Sequence, residues 1–175
     1  VAHRAPLALT HARTMTSAGP EDPRGYELLG EALKATNDAA GATAAFATAV
    51  RLGSTDFEPY FETARVEQNA AALADGVVEP AAARRVVNRY EQAINLHPRF
   101  RGSYENLAGV IGTADPLGPE DKRFLEQGAQ LFPESPMIQL GLAQLEHRGG
   151  DKAAARTRLD RVLATLEGNS GPVAV

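Results

Sequence analysis

The sequence predicts an all-α protein made of short antiparallel helical hairpins stacked on one another, and three observations carry that prediction. Between Tyr26 and Ala49, the large residues Tyr26, Leu29, Leu33 and Phe46 recur at helical spacing, while Gly30, Ala42 and Ala49 stay small where two helices must approach. A hairpin this short cannot bury its apolar face alone, and the downstream sequence supplies copies on which it can stack. Hydrophobic residues make up 43% of the 175, yet aromatics only 6%, which suits closely packed, alanine-rich helices.

The stretch from Tyr26 to Ala49 resembles the tetratricopeptide repeat, a helix–turn–helix unit of about 34 residues. That pattern runs aromatic-x-x-Leu-Gly-x-x-large, then Ala-x-x-x-aromatic-x-x-Ala, often closed by Pro. Tyr26, Leu29, Gly30, Leu33, Ala42, Phe46 and Ala49 fall in register, and Ser54 replaces the closing Pro. The resemblance covers residues 23 to about 169. It implies a right-handed superhelix of about four repeats plus an N-terminal helix, with the first helix of each hairpin lining the concave face.

In order along the chain, residues 1–22 hold an N-terminal helix and a linker. The helix, over 5–16, reads either as the second half of a preceding repeat, through Ala8, Ala12 and Met15, or as a cap. Pro23 suits a first helical turn. Repeat one spans 23–56 and ends in Gly53-Ser54-Thr55-Asp56, which is C-cap and then N-cap chemistry. Repeat two, 57–100, carries an insertion. Tyr60, Thr63 and Ala64 open it, Val86, Tyr90 and Ala93 follow, and Pro98 closes it. Its first helix should run on through Leu73 and Ala74 to a stop at Asp75-Gly76, with Pro80 opening the next. A lengthened hairpin projecting beyond the stack is expected, either functional or the product of drift.

Repeat three, 101–135, matches through Tyr104, Leu107, Ala108 and Ile111, then Leu125, Gly128 and Pro133, with Pro119 starting its second helix. Gly109 and Gly112 should soften it, each costing about 1 kcal/mol against Ala. Repeat four, 136–169, places Leu142 and Ala143, a Gly149-Gly150-Asp151 turn, then Ala155, Leu159 and Val162. Leu159, Val162, Leu163 and Leu166 are expected to leave an apolar edge, because no polar helix caps the array. Residues 170–175 read as a flexible tail.

The net charge of -4 argues against nucleic acid or an anionic membrane surface as partner. The absence of cysteine excludes disulfides, thiolate catalysis and cysteine-ligated zinc. No apolar run is long enough to span a membrane. Val1 in place of Met reads as the start of a fragment or processed form, which leaves the compartment open.

Catalysis would need convergent reactive groups, and the sequence offers none. His3, His11, His97 and His147 lack metal-ligand spacing. His97 is expected to meet carbonyl groups at a helix end, and His147 to lie on a surface or groove. There is no Gly-x-Ser-x-Gly elbow, phosphate-binding loop or kinase signature. Gly109-Val-Ile-Gly112 lacks the third glycine and preceding strand of a dinucleotide site. Arg84 and Arg85 read as an exposed basic step. No cofactor and no metal is implied, and the chain reads as non-enzymatic.

Recognition of protein is the reading that remains. In the resembled family, groove residues come from fixed offsets in each first helix. Here these fall on Glu27, Glu31 and Lys34, then on Phe61, Arg65, Gln68 and Asn69. In repeats three and four they fall on Glu105 and Gly109, with Asn106 beside them, and on Leu140, Gln144, His147 and Arg148. Tyr60 and Phe61 are adjacent and cannot both enter one core from one helix, so either Phe61 faces the groove or it packs on the next hairpin. Repeats that clamp acidic chaperone tails carry Lys, Asn and Arg where this chain has Glu27, Glu31, Glu62, Gly102 and Asn106, so that subclass is rejected. The expected partner is a protein or peptide of unknown identity in a mixed-charge groove. The alternatives are an accessory domain of a larger bacterial enzyme, for example a hydrolase, or a module that dimerises through exposed array ends.

Overall fold

Among the residues that the computed structural model describes (4–72, 78–118 and 120–169), nine helices follow one another, and the sole extended pairing is an isolated bridge between Ala72 and Val78. A lone helix α1 (Arg4–Ala18) precedes four antiparallel pairs. These are α2 (Pro23–Ala35) with α3 (Ala39–Arg51), α4 (Phe57–Ala71) with α5 (Pro80–Leu96), α6 (Arg101–Ile111) with α7 (Asp121–Leu131), and α8 (Pro136–Arg148) with α9 (Lys152–Asn169). Each hairpin packs on the next, and α1 packs on α2.

Short polar side chains start α2, α3 and α4, and left-handed residues stop α2, α3 and α8. Asp22, Asp38 and Asp56 accept from the backbone N–H of Arg24, Gly41 and Glu58 at 3.0, 2.9 and 2.9 Å, which satisfies first-turn donors. Pro23, Pro80 and Pro136 occupy first turns, where a missing N–H costs nothing. Asn37, Gly53 and Gly150 take φ of 61°, 78° and 87°. After each, the following N–H reaches back five residues: Asp38 to Leu33 O at 2.9 Å, Ser54 to Ala49 O at 3.0 Å and Asp151 to Glu146 O at 2.9 Å.

The large-against-small pattern seen in the sequence is the packing device. A Cβ on Gly30 would lie 2.5 Å from the Phe46 ring, and one on Gly128 would lie 2.6 Å from the Tyr104 ring, so each aromatic rests on bare backbone. Tyr60 and Tyr104 donate their hydroxyls to the carbonyls of Ser54 and Pro98, each six residues upstream, fixing the chain's entry into two successive first helices. Phe46, Tyr90 and Leu125 share one position in successive second helices and are 2%, 0% and 0% exposed, whereas Leu159, at that position in α9, is 39% exposed.

Two boundaries and the insertion between α4 and α5 depart from expectation. Helix α4 stops at Ala71, short of the expected Ala74, because Ala72 is already extended at φ -68°, ψ 129° and bridged to Val78; the expected stop at Asp75-Gly76 lies outside the described residues. The described part of the insertion does not project. Val78, Ala82 and Ala83 are buried in the main core. Helix α7 begins at Asp121, while the expected starter Pro119 lies outside the described residues, as do His3 and the tail 170–175.

Candidate functional site

A cleft of about 900 Å³ opens between α6, α8 and α9. Gly109 and Gly112 of α6 and its end form one wall, and Gln144, His147 and Arg148 of α8 form another. Val78, Leu140, Ala143, Ala155, Leu159 and Leu163 make it apolar, and Lys152 and Arg156 add cations. Gly112 gives the Gln144 amide its room, since a Cβ there would lie 2.5 Å from Gln144 Oε1. Arg148 is held in place by donating to the carbonyls of Ala114 at 2.7 Å and Gly112 at 3.1 Å. A cation thereby covers the orphan acceptors at the end of α6.

The other sequence-derived groove residues lie elsewhere, and most already have partners. Glu27 accepts from Ser54 Oγ at 2.5 Å, and Glu105 accepts from Ser135 Oγ at 2.7 Å. Both serines are buried and both lead into the next hairpin, so these glutamates tie neighbouring repeats together. Lys34 reaches across to Glu58 at 2.6 Å and Glu62 at 2.5 Å of α4, and Arg65 pairs with Glu62 at 2.7 Å. Burial opposes charge on Lys34, yet its two carboxylate partners outweigh that and raise its pKa. Glu31 is raised by burial and then by Glu58 and Asp56. Gln68 accepts from the buried Tyr90 hydroxyl at 2.7 Å, while Asn69 is exposed. The Phe61 ring is half-buried, edge-on to Phe100 at 4.9 Å and 6.0 Å from Tyr90, so it packs on the segment leading into the next hairpin.

Three further readings are corrected. His97 packs its ring on Phe57 at 4.7 Å where carbonyl contacts were expected. Arg84 is not an exposed step: it grips both Asp121 oxygens at 2.9 and 2.8 Å and approaches Glu91 at 3.3 Å. Burial, followed by the neighbouring Asp121, pushes the Glu91 carboxyl up to about 7. Val162 is 6% exposed and belongs to the interior, so the apolar edge consists of Leu159, Leu163 and Leu166.

The offset rule missed Lys152, Arg156, Leu159 and Leu163 as cleft residues because it searched first helices only, and these lie on a second helix. The readable signal was the leucine run Leu159, Leu163 and Leu166 at helical spacing in α9. Among the described residues, no three His, Cys, Asp or Glu side chains group as metal ligands, and no helix is long and apolar enough to cross a membrane.

No family model and no curated protein sequence matches the chain. Solved structures do. MamA is similar at 15% identity and a TM-score of 0.59 over 92% of this chain and 88% of that one. MamA 41-end from Desulfovibrio magneticus RS-1 is similar at 14% identity and a TM-score of 0.61 over 97% and 98% of the two chains. YrrB, a TPR protein with an unusual peptide-binding site, is similar at 10% identity and a TM-score of 0.64 over 94% and 79%. At such identities the likeness is one of fold, and together with the repeating hairpins it establishes that this chain has the tetratricopeptide-repeat fold, a right-handed solenoid of stacked helical pairs.

Proposed function

We propose that the chain is a non-catalytic protein-interaction scaffold whose groove takes a peptide or partner segment at its C-terminal end. The observation that carries this reading is the cleft between α6, α8 and α9, an apolar basin of about 900 Å³ rimmed by Gln144, His147, Arg148, Lys152 and Arg156. Apolar area to bury and a few polar groups to orient are what peptide recognition requires, and the rim presents no nucleophile with an adjacent base. The peptide-binding site of YrrB gives the fold a precedent. Of the groove residues inferred from the sequence, Gln144, His147 and Arg148 are the ones proposed to face the ligand. Glu27, Glu31, Lys34, Phe61, Arg65, Gln68 and Glu105 are proposed to hold the array together, with Asn69 outside both sets.

The test is selection of peptides from a random display library on the immobilised chain. Selected peptides should lose at least tenfold in affinity on Leu163→Ser, a change at a side chain 56% exposed and therefore neutral for folding. Binders indifferent to that change, or a library that yields none, would refute the assignment.

A further inference from the structure

The repeat register says what shape the cleft awaits. Phe46, Tyr90 and Leu125 are fully covered, and the hairpin that follows each of them packs on its own; Leu159, their counterpart in α9, stays 39% exposed beside Leu163 at 56%. The unfilled volume lies along the face of α9 that carries Leu159 and Leu163, with α6 and α8 as its other walls.

The molecule also shows how successive first helices recognise each other by charge. Lys34 of α2 binds Glu58 and Glu62 of α4, carboxylates one helical turn apart. His147 holds in α8 the position of Lys34 in α2, five residues beyond Leu142 as Lys34 is beyond Leu29. Around it stand Arg148, Lys152 and Arg156, with Asp160 the one acidic residue lining the cleft among the described residues. Lys152 and Arg156 make no ion pair among the described residues, in a chain whose net charge is -4.

We propose that the occupant is an amphipathic α-helix of a partner protein, with an apolar ridge set on Ala155, Leu159 and Leu163 and carboxylates one turn apart facing His147, Lys152 and Arg156. The inference rests on the scaffold reading and names the chemistry of its ligand. A helix fits because the cleft is itself walled by helices, α6, α8 and α9, and an acidic one fits because Lys152 and Arg156 have no ion-pair partner among the described residues. The apolar floor disfavours a nucleic acid, whose backbone would cover the leucines without drying them.

Three probes test it: a stapled Leu/Ala/Glu helix of about five turns, the same helix with Lys for Glu, and an acidic peptide of equal length and charge held extended by proline. The acidic helix should bind at least tenfold more tightly than the lysine helix. Lys152→Glu with Arg156→Glu should invert that preference, Leu163→Ser should weaken both, and added salt should weaken the acidic helix most. Circular dichroism confirms that each variant is folded. Equal binding of acidic and basic helices overturns the charge assignment, and binding of oligo-dT as tight as the acidic helix overturns the choice of a protein partner. Tight binding of the extended probe, lost on Leu163→Ser, overturns the helical occupant but leaves the scaffold reading intact. Failure of all three probes while display-selected peptides still bind at the cleft has the same meaning. Failure of probes and library together refutes both.

Discussion

Gly30 shows how one residue sets the spacing of a hairpin. A Cβ there would sit 2.5 Å from the Phe46 ring, and the ring cannot retreat because it is 2% exposed. Gly30→Ala should therefore destabilise the chain by about 1–3 kcal/mol, the usual cost of overpacking, although alanine favours helix. Urea unfolding measures it, and a stabilised variant would refute the contact. This position was legible because small and large residues alternate at helical spacing. Glu27 and Glu105 were not: their partners Ser54 and Ser135 lie far along the chain, and only the folded hairpin reveals them. Ser135→Ala leaves Glu105 with one donor fewer and should cost about 1.5–3 kcal/mol by the same measurement. Phe61→Ala should cost about 2 kcal/mol, less than a fully buried ring, because Phe61 is half-buried on Phe100. A negligible cost would return that ring to the surface.

Among elements, the start of α7 illustrates what a sequence conceals. Arg84 and Arg85 read alike as exposed, yet α5 turns Arg84 inward to Asp121, a carboxylate 2% exposed at the first turn of α7. Periodicity places a residue on a helix face but not the acid that a neighbouring turn brings to it. The groups facing Glu91 are Arg84 and Asn88 of its own helix, Asp121 and Arg123 of α7, and Glu120 just before α7. Glu91 is raised to about 7 from an ordinary 4.5, so the folded chain favours its neutral form. Its contribution is thus complete below about pH 4.5 and is lost as pH rises through about 7. Native chain should lose stability, on the order of a few kcal/mol, between pH 5 and 8 relative to Glu91→Gln, read as the difference between two urea titrations. Parallel curves would show that Glu91 titrates normally.

For the whole molecule, the stack was legible because each hairpin repeats the same small-and-large signature, and periodicity survives translation from sequence to packing. The described part of the insertion after α4 was harder to read for the converse reason. Nothing in the sequence indicates that Val78, Ala82 and Ala83 join the main core. The surface proposed to face a ligand was half legible: Gln144, His147 and Arg148 follow from a family offset, while Lys152, Arg156, Leu159 and Leu163 join them only through the cleft that the folded chain forms beside α9. The central claim is that this end of the array receives a partner, and backbone amide NMR shifts on titration with a display-selected peptide test it most directly. Perturbations concentrated on α8, α9 and the end of α6 are predicted. Perturbations confined to α1–α3, or spread evenly over the chain, would contradict the account.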